Sequence, residues 1–463
     1  VSLEAKADTV ESHGPDDYGA TVAVKKGLVG AEGYKSLDNY QSLPGYDPAN
    51  KNLTAAEVSS WYTLSSGMIL TGHWKHSFNT LSLTYWYSYA QEAAQMRFYP
   101  VNSKGQWNGN GPALTANGGI PLSEDNENGL QQLNSFALDD KMSFLHDRLT
   151  IDGGIRMAMA NRQYTQDLPG VAGNDYKSIR NVFVPSPQVL INYNFNSHHQ
   201  IYINGTTGYH LPGSLSSQLA SYSRSTGQAQ SLPLADYKPE YMITEEIGYR
   251  YNGLLMANLA GFHYNVTNHQ ISAQSYVEGS TSTISQLINA GGMEAYGIQA
   301  EIATRPWHHV SAYASGQYMR TRNGNNIAYS GDYLRTKGKQ EVGAPKFSGS
   351  LGLTYNDGAW FGNFTLSYIG SQYATLMNDQ RIPGYVTANL GVGRTLPKIG
   401  HVLPKVKLNL VNLGDASYLS SMYGYTAAAT TQKGIFGTTI KGSSPTYVIG
   451  SPFVAMGTIS ADF

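Results

Sequence analysis

The sequence of 463 residues contains no cysteine and few charged side chains, and these two shortages exclude several classes of protein. Without cysteine there are no disulfides, no thiolate metal ligands and no cysteine nucleophile. Charged residues make up 14% of the chain, against about 25% in ordinary soluble domains. The 31 basic and 32 acidic residues nearly cancel, so we expect no nucleic acid as a partner.

Long hydrophobic runs are missing as well. No stretch of about 18 apolar residues occurs, so the sequence encodes no transmembrane helix. The sequence begins at Val1 and lacks a basic segment followed by an apolar one, which is the pattern of a secretory signal peptide. We therefore expect a leader or further sequence upstream of Val1 in a longer protein.

Segments in which apolar and polar residues alternate are abundant. In "LSLTYWYSYA" (81–90), leucines and tyrosines share one face of an extended strand, whereas serines and a threonine share the other, because side chains alternate with period two. The end of the chain alternates in the same way up to Phe463. Similar segments occur at 149–159, 189–195 and 363–370. Many are about ten residues long, close to the 9–11 with which a tilted strand crosses a bilayer.

The connections between these strands alternate in length. We predict tight turns at 76–79, 145–148, 196–199, 251–253, 305–309 and 356–358. We predict long loops rich in Gly, Ser, Asn and Tyr at 97–128, 165–181, 211–237, 274–284, 322–340, 372–383 and 420–446. Outer-membrane barrels have this arrangement, with short periplasmic turns and long extracellular loops. A soluble sandwich also alternates in polarity, but its strands are shorter and its loops less unequal.

The pattern therefore predicts an all-β fold, a large antiparallel up-and-down transmembrane β-barrel. We expect a partial strand and a long extracellular-type loop in residues 1–60, and roughly fifteen strands in the barrel region 61–463. An open sheet of such strands is not stable in lipid, because its edges would expose unpaired backbone groups. Either the strand count is inexact or the closing strands lie upstream of Val1.

Signatures of catalysis and of metal binding are weak. The sequence has no Gly-x-Ser-x-Gly elbow, His-Glu-x-x-His motif or phosphate-binding glycine loop, so we expect no enzyme, no catalytic residue and no cofactor. The pairs His198-His199 and His308-His309 could bind a metal such as zinc. Both fall in predicted tight turns without a carboxylate cluster, so we interpret them as interfacial residues and expect no metal site.

Two sets of residues are candidates for function. Polar residues that alternate with apolar ones should face the lumen, as a self-paired polar interior or as a substrate path: Glu246, Arg250, Gln299, Glu301, Arg156 and Arg320. Aromatic and basic residues in the long loops suit capture of an anionic or aromatic chelate: Tyr209, His210, Tyr222, Arg224, Tyr333, Arg335, Tyr373, Arg381, Tyr423 and Tyr425. The other interpretation is that large barrels carry tyrosine-rich loops in any case.

Several stretches, taken in order, resemble the C-terminal half of a TonB-dependent outer-membrane receptor over about residues 180–463. They include "YKPEYMITEEIGYRY" (237–251), "NAGGMEAYGIQAEI" (289–302), "GAPKFSGSLGLTY" (343–355) with "LSYIGSQYAT" (366–375), "IPGYVTANLGVG" (382–393) and "KLNLVNLGDASYL" (407–419). Gln299 stands where the family has an acidic residue. The terminal Phe463 resembles the signal that the barrel-assembly machinery reads.

The resemblance implies most of a barrel of about 22 strands, with the plug and the first strands absent from this chain. It implies multi-pass insertion in the outer-membrane lipid of a Gram-negative bacterium. It also implies TonB-energised uptake of a scarce nutrient, by default a ferric siderophore or another iron chelate, with the TonB complex acting through the missing N-terminal part. The alternatives are a passive porin or channel and a surface-adhesive barrel.

Overall fold

The computed structural model describes residues 2–16, 55–100, 112–113, 123–166, 176–211, 238–276, 283–329, 332–422 and 424–462. In these ranges the regular secondary structure is all β. No helix in the described part of the chain is long and apolar enough to cross a membrane.

The described ranges contain sixteen long strands. They are β1 (Ser2–Asp16), β2 (Ala55–Lys75), β3 (Asn79–Pro100), β4 (Ser123–Phe144), β5 (Leu149–Gln166), β6 (Tyr176–Asn194), β7 (His199–His210), β8 (Glu240–Asn252), β9 (Leu255–Thr267), β10 (Met293–Thr304), β11 (Val310–Asn323), β12 (Phe347–Asn356), β13 (Trp360–Ile369), β14 (Tyr385–Thr395), β15 (Leu403–Val411) and β16 (Val454–Asp462).

Short strands lie in the long connections between these elements. They are Gln270–Tyr276, Thr283–Asn289, Ile327–Tyr329, Asp332–Leu334, Gln372–Tyr373, Arg381–Ile382, Leu419–Met422, Tyr425–Thr426, Gln432–Lys433, Thr439–Ile440 and Tyr447–Ile449. The loops therefore contain small sheets of their own, which the alternation of the sequence does not predict.

The chain divides into two compact units. The first consists of Val1–Asp140, Gly154–Ser186 and Pro212–Tyr237. Within it β1, β2 and β3 pair antiparallel in chain order, and β2 and β3 are 21 and 22 residues long. The second unit consists of Lys141–Gly153, Pro187–Leu211 and Lys238–Phe463. Within it each long strand from β6 to β16 pairs antiparallel with the next. The predicted all-β, antiparallel up-and-down fold is confirmed.

The strand register gives the sheet of the second unit one apolar face and one polar face. Ile247, Ile298 and Phe347 lie on the same face, since the register joins them through Gly261 and Tyr318. Their side chains are 63%, 58% and 55% exposed. Exposed branched and aromatic side chains repeated along a whole face are unfavourable in water, whereas lipid tails cover them. We call this the apolar face, and the opposite one, with paired residues such as Gln299 and Gln317, the polar face.

The six predicted tight turns are confirmed, each within two residues, and a further short connection at 396–402 was not predicted. In the turn after β12, the Asn356 side-chain oxygen accepts the Gly358 N–H at 3.0 Å, and Asp357 accepts the N–H groups of Ala359 and Trp360. Gly358 has a φ of 92°, a conformation that glycine adopts without steric cost.

At the other end of the strands, the long loops pack around an apolar core. The core consists of Ile271, Ala290, Ile327, Tyr329, Leu334, Val342, Leu376, Ala427 and Ile440, with Met377, Met422 and Tyr425 packed against it. We call this set the loop cluster. It joins four connections that are distant in sequence, because each contributes apolar side chains that no single loop can bury alone.

Candidate functional site

A compact hydrogen-bonded group occupies the polar face of β7, β8 and β9. Tyr202 lies opposite Gly248 in the register and is 2% exposed. Its hydroxyl donates to Glu246 and lies 3.3 Å from Oδ1 of Asn258. The centre of the Arg250 guanidinium lies 4.0 Å from the centroid of the Tyr202 ring, within the distance of a cation–π interaction. These contacts fix Glu246 and Arg250 in place.

Gly248 makes this arrangement possible. A Cβ added at Gly248 would lie 2.3 Å from Cζ of Tyr202. We expect Gly248→Ala to displace the ring and to lower the free energy of unfolding by about 1–3 kcal/mol, as overpacking of a filled site does. Urea unfolding of the full-length protein in detergent measures this effect. Gly316→Ala in β11 is the control, because its added methyl meets no atom within 4 Å. Equal loss in both variants would contradict the role assigned to Tyr202.

The register also locates the other residues for which we predicted a lumen position. Gln299 and Glu301 pair with Gln317 and Ser315 on the polar face. Arg320 does not join them, because it pairs with Tyr296 on the apolar face, and its predicted lumen position is wrong. Arg156 lies in β5 of the first unit, one position before the exposed Met157.

Two of the loop candidates form a direct contact. Tyr373 and Arg381 pair across a small two-stranded sheet, and the Arg381 guanidinium centre lies 5.5 Å from the centroid of the Tyr373 ring. Nη2 of Arg381 also donates to Oγ of Ser371 at 2.6 Å. A guanidinium held over an aromatic ring presents its remaining N–H groups in a fixed direction, which suits an anionic oxygen.

Tyr333, Arg335 and Tyr425 lie in or beside the loop cluster. The Tyr333 ring meets the ring of Phe436 edge-on at 5.9 Å, and the Arg335 side chain is exposed. Tyr425 is only partly exposed, and burial together with the nearby carboxylates of Glu341 and Glu240 raises the pKa of its hydroxyl. Tyr425 thus contributes to the loop core as much as to its surface.

The remaining predicted residues divide between a strand end and the undescribed part of the chain. Tyr209 and His210 are the last two residues of β7, opposite Tyr241 and Glu240. Tyr222, Arg224, Tyr423 and Phe463 lie outside the described residues.

A buried charged group at the base of the loops was not predicted. His269 follows β9, and its Nδ1 lies 3.1 Å from Oε2 of Glu240, while its Nε2 lies 3.7 Å from Oε1 of Glu341. The three side chains are 15%, 22% and 10% exposed. Burial lowers the pKa of the imidazole, but the two carboxylates outweigh burial and raise it to about 9. His269 is therefore a cation at neutral pH, and it holds two loop bases against one strand end.

Two aspartates attach the last long loop to earlier ones, and they too were not predicted. Asp379 accepts the N–H groups of Ala429 and Thr430 at 3.0 Å and the hydroxyls of Thr375 and Thr430. Burial opposes its ionisation, but these hydrogen bonds lower its pKa to about 2. Asp332 accepts the N–H groups of Phe436 and Thr438. In the sequence, the only sign of these contacts is the presence of Asp and Thr in Gly-rich stretches.

The two histidine pairs contact neighbouring rings and a neighbouring strand: His198 and His199 meet residues of β8, His308 meets the Trp307 ring and His309 meets the Tyr355 ring. His198 Nδ1 lies 2.7 Å from the Asn252 carbonyl oxygen, and His199 Nδ1 lies 2.6 Å from the Tyr249 hydroxyl. Within the described ranges, no group of three His, Asp or Glu side chains is arranged to hold a metal ion.

Long antiparallel strands with an exposed apolar face, a polar face, tight turns at one end and long loops at the other define a transmembrane β-barrel. The family model described as "TonB dependent receptor-like, beta-barrel" matches residues 15–413. The chain belongs to this family, whose members are receptors and transporters of the outer membrane.

Solved structures with the same fold are distant in sequence. The copper transporter OprC has 15% identity and a TM-score of 0.63, over 99% of this chain and 62% of that one. The siderophore receptor PiuA from Acinetobacter baumannii has 16% identity and a TM-score of 0.59, over 90% of this chain and 58% of that one. The ferric yersiniabactin uptake receptor FyuA from Yersinia pestis has 16% identity and a TM-score of 0.58, over 89% of this chain and 56% of that one. The chain thus spans less than two thirds of the length of these structures.

Proposed function

We propose that this chain is the barrel part of an outer-membrane receptor that imports an iron chelate, most simply a ferric siderophore, with energy from TonB. The observation that carries the proposal is the match of the receptor family model to residues 15–413. Several similar structures are described as receptors for ferric siderophores or ferric citrate, although one is a copper transporter. At this low identity the likeness by itself supports the fold alone.

The loop residues favour an anionic chelate over a bare metal ion as the cargo. The Arg381 guanidinium lies over the Tyr373 ring, and Tyr333 and Arg335 are exposed in the connection between β11 and β12. Arginine binds carboxylate, catecholate or hydroxamate oxygens through charge-assisted hydrogen bonds, and tyrosine rings stack on aromatic ligands. Together these groups would hold the chelate at the loop end of the barrel before transport.

Uptake of radiolabelled iron by a strain that carries only this receptor tests the proposal. We expect uptake of at least one ferric siderophore that disappears when TonB is deleted. Arg381→Ala should weaken binding at least about tenfold, since a hydrogen bond to a charged group contributes about 1.5–3 kcal/mol. Lys337→Ala is the matched control, because Lys337 is an exposed loop cation outside the candidate set.

The same experiment separates the alternatives. Uptake that persists without TonB would identify a passive porin, and surface attachment without saturable uptake would identify an adhesive barrel. Uptake of copper supplied as a free ion is measured in the same strain. TonB-dependent uptake of copper but of no iron chelate would reject the proposed cargo.

A further inference from the structure

The apolar face carries a groove near the tight-turn end of β11 to β14. Its volume is about 470 Å³, within the range of about 300–1,000 Å³ typical of small-molecule sites. Gly362 lies on the floor, opposite Tyr355 and Val392 in the register. The apolar residues around it are Val310, Leu353, Tyr355, Trp360, Phe364, Leu390 and Val392. Gly362 adds no side chain between these larger neighbours.

A cation lies against Trp360, one of the residues that line this groove. Arg394 pairs with Trp360 across β13 and β14, and its guanidinium centre lies 5.0 Å from the centroid of the Trp360 ring. Within the described part of the chain, no carboxylate lies at ion-pair distance from Arg394. Arg322, at the loop end of the same face, is instead neutralised by Glu294 at 2.7 Å.

The acidic residue in the turn between β12 and β13 is already engaged in hydrogen bonds. Asp357 accepts the Tyr355 hydroxyl at 2.8 Å and the N–H groups of Trp360 and Ala359 at 2.6 and 2.9 Å. The exposed guanidinium of Arg394 therefore offers its donors to a ligand from outside the protein. It lies where the strands approach the tight turns, the level at which lipid headgroups meet water.

We propose that this groove binds one anionic glycerophospholipid of the leaflet nearest to the tight turns. One acyl chain would lie over Gly362 between Leu353, Leu390 and Val392, and the phosphate would accept hydrogen bonds from Arg394. Acyl chains find apolar contacts anywhere on the barrel surface, so selectivity comes from the phosphate and the fixed guanidinium. The inference concerns the membrane side of the barrel and does not depend on the cargo.

Native mass spectrometry of the full-length protein in detergent tests the proposal. The delipidated protein is titrated with phosphatidylglycerol and, in parallel, with phosphatidylcholine of the same acyl chains. We expect one phosphatidylglycerol to be retained preferentially, and Arg394→Gln to lower its occupancy at least fivefold. Val392→Trp, which fills the groove and leaves Arg394 in place, should have a similar effect. Lys398→Gln, an exposed cation in the neighbouring connection, is the matched control.

The results that would overturn the proposal can be told apart from a loss of folding. Heat-modifiable mobility on gels shows whether each variant is folded, and either of the two groove variants is sufficient for the test. Retention of phosphatidylglycerol by a folded Arg394→Gln or Val392→Trp protein at the wild-type level would overturn the proposal. Equal loss in Lys398→Gln would reduce the effect to general charge. Equal retention of both lipids by the wild type would show that the headgroup is not recognised. Either result would overturn the proposal as well.

Discussion

Replacing His269 with alanine should lower the free energy of local unfolding at the base of the loops by about 3–5 kcal/mol. This is the cost of leaving buried charges without their partner. The substitution removes the cation between Glu240 and Glu341, whose carboxylates are largely buried. Glu240 also accepts the Gln270 N–H at 2.8 Å, so the start of the following loop strand should be affected too. Faster amide hydrogen exchange is expected in peptides that cover 268–276 and 338–345.

The same group predicts a dependence of loop stability on pH. The pKa of His269 is raised from its usual 6.5 to about 9 in the folded protein. A raised pKa contributes stability that is complete below about pH 6.5 and is lost as the pH rises through about 9. Hydrogen exchange, corrected for its intrinsic dependence on pH, should therefore show less protection of these loops at pH 9.5 than at pH 6.5.

Two variants test this interpretation. His269→Gln keeps a polar side chain but no charge, and we expect its loop protection to stay flat over that pH range. His401→Ala removes an exposed histidine from the connection between β14 and β15 and should leave the loops unchanged. A wild-type profile that is flat from pH 6.5 to 9.5 would show that the ion pairs do not stabilise the loop bases.

Replacing Asp379 with alanine should release the segment around residues 428–433 from the loop cluster. The substitution leaves the N–H groups of Ala429 and Thr430 without their acceptor and removes contacts to two threonine hydroxyls. Hydrogen bonds to a carboxylate contribute about 1.5–3 kcal/mol each. Because Asp379 is exposed, solvent screening reduces the sum, and we expect the local free energy of unfolding of this segment to fall by about 2–3 kcal/mol.

Limited proteolysis measures this release directly. We expect cleavage within 424–446 at protease concentrations that leave the wild type intact, while the barrel stays folded on heat-modifiable gels. Gln380→Ala is the matched control, because Gln380 is an exposed neighbour whose backbone oxygen, not its side chain, accepts the Ala374 N–H.

Acid should reproduce the effect in the wild type. The pKa of Asp379 is lowered to about 2, so its contribution is present above about pH 3.8 and is lost as the pH falls through 2. Resistance of 424–446 to protease in the alanine variant, or the same cleavage in Gln380→Ala, would mean that the apolar loop core alone holds this segment.

Much of the strand framework could be predicted because it depends on local chemistry. The alternation in "NFTLSYIG" (363–370) matches β13, where Phe364, Leu366 and Tyr368 pair with apolar-face residues of β12 and β14. "NDG" (356–358) predicts its turn because Asn, Asp and Gly tolerate the required backbone angles. The predicted end of the chain agrees as well, since Ile459 pairs with Val406 and Gly457 with Leu408.

The wrong position of Arg320 has a physical reason. Strand β11 continues toward the loops, where the surroundings of the sheet change from lipid tails to headgroups and water. Polar residues are tolerated there on either face, so polarity no longer identifies the face. Arg322 illustrates this, because it pairs with Glu294 on the apolar face. Only the register assigns such residues.

By itself, the sequence determined the all-β class, the long alternating strands, the tight turns and the end of the barrel at which the long loops lie. These features follow from side-chain period and turn chemistry, which act over a few residues. The tertiary structure alone brought His269 to Glu240 and Glu341, Asp379 to Thr430, and Arg394 to the groove over Gly362. Long loops have no periodicity, and the partners of their side chains come from distant strands, so these contacts arise only when the sheet is assembled in its register.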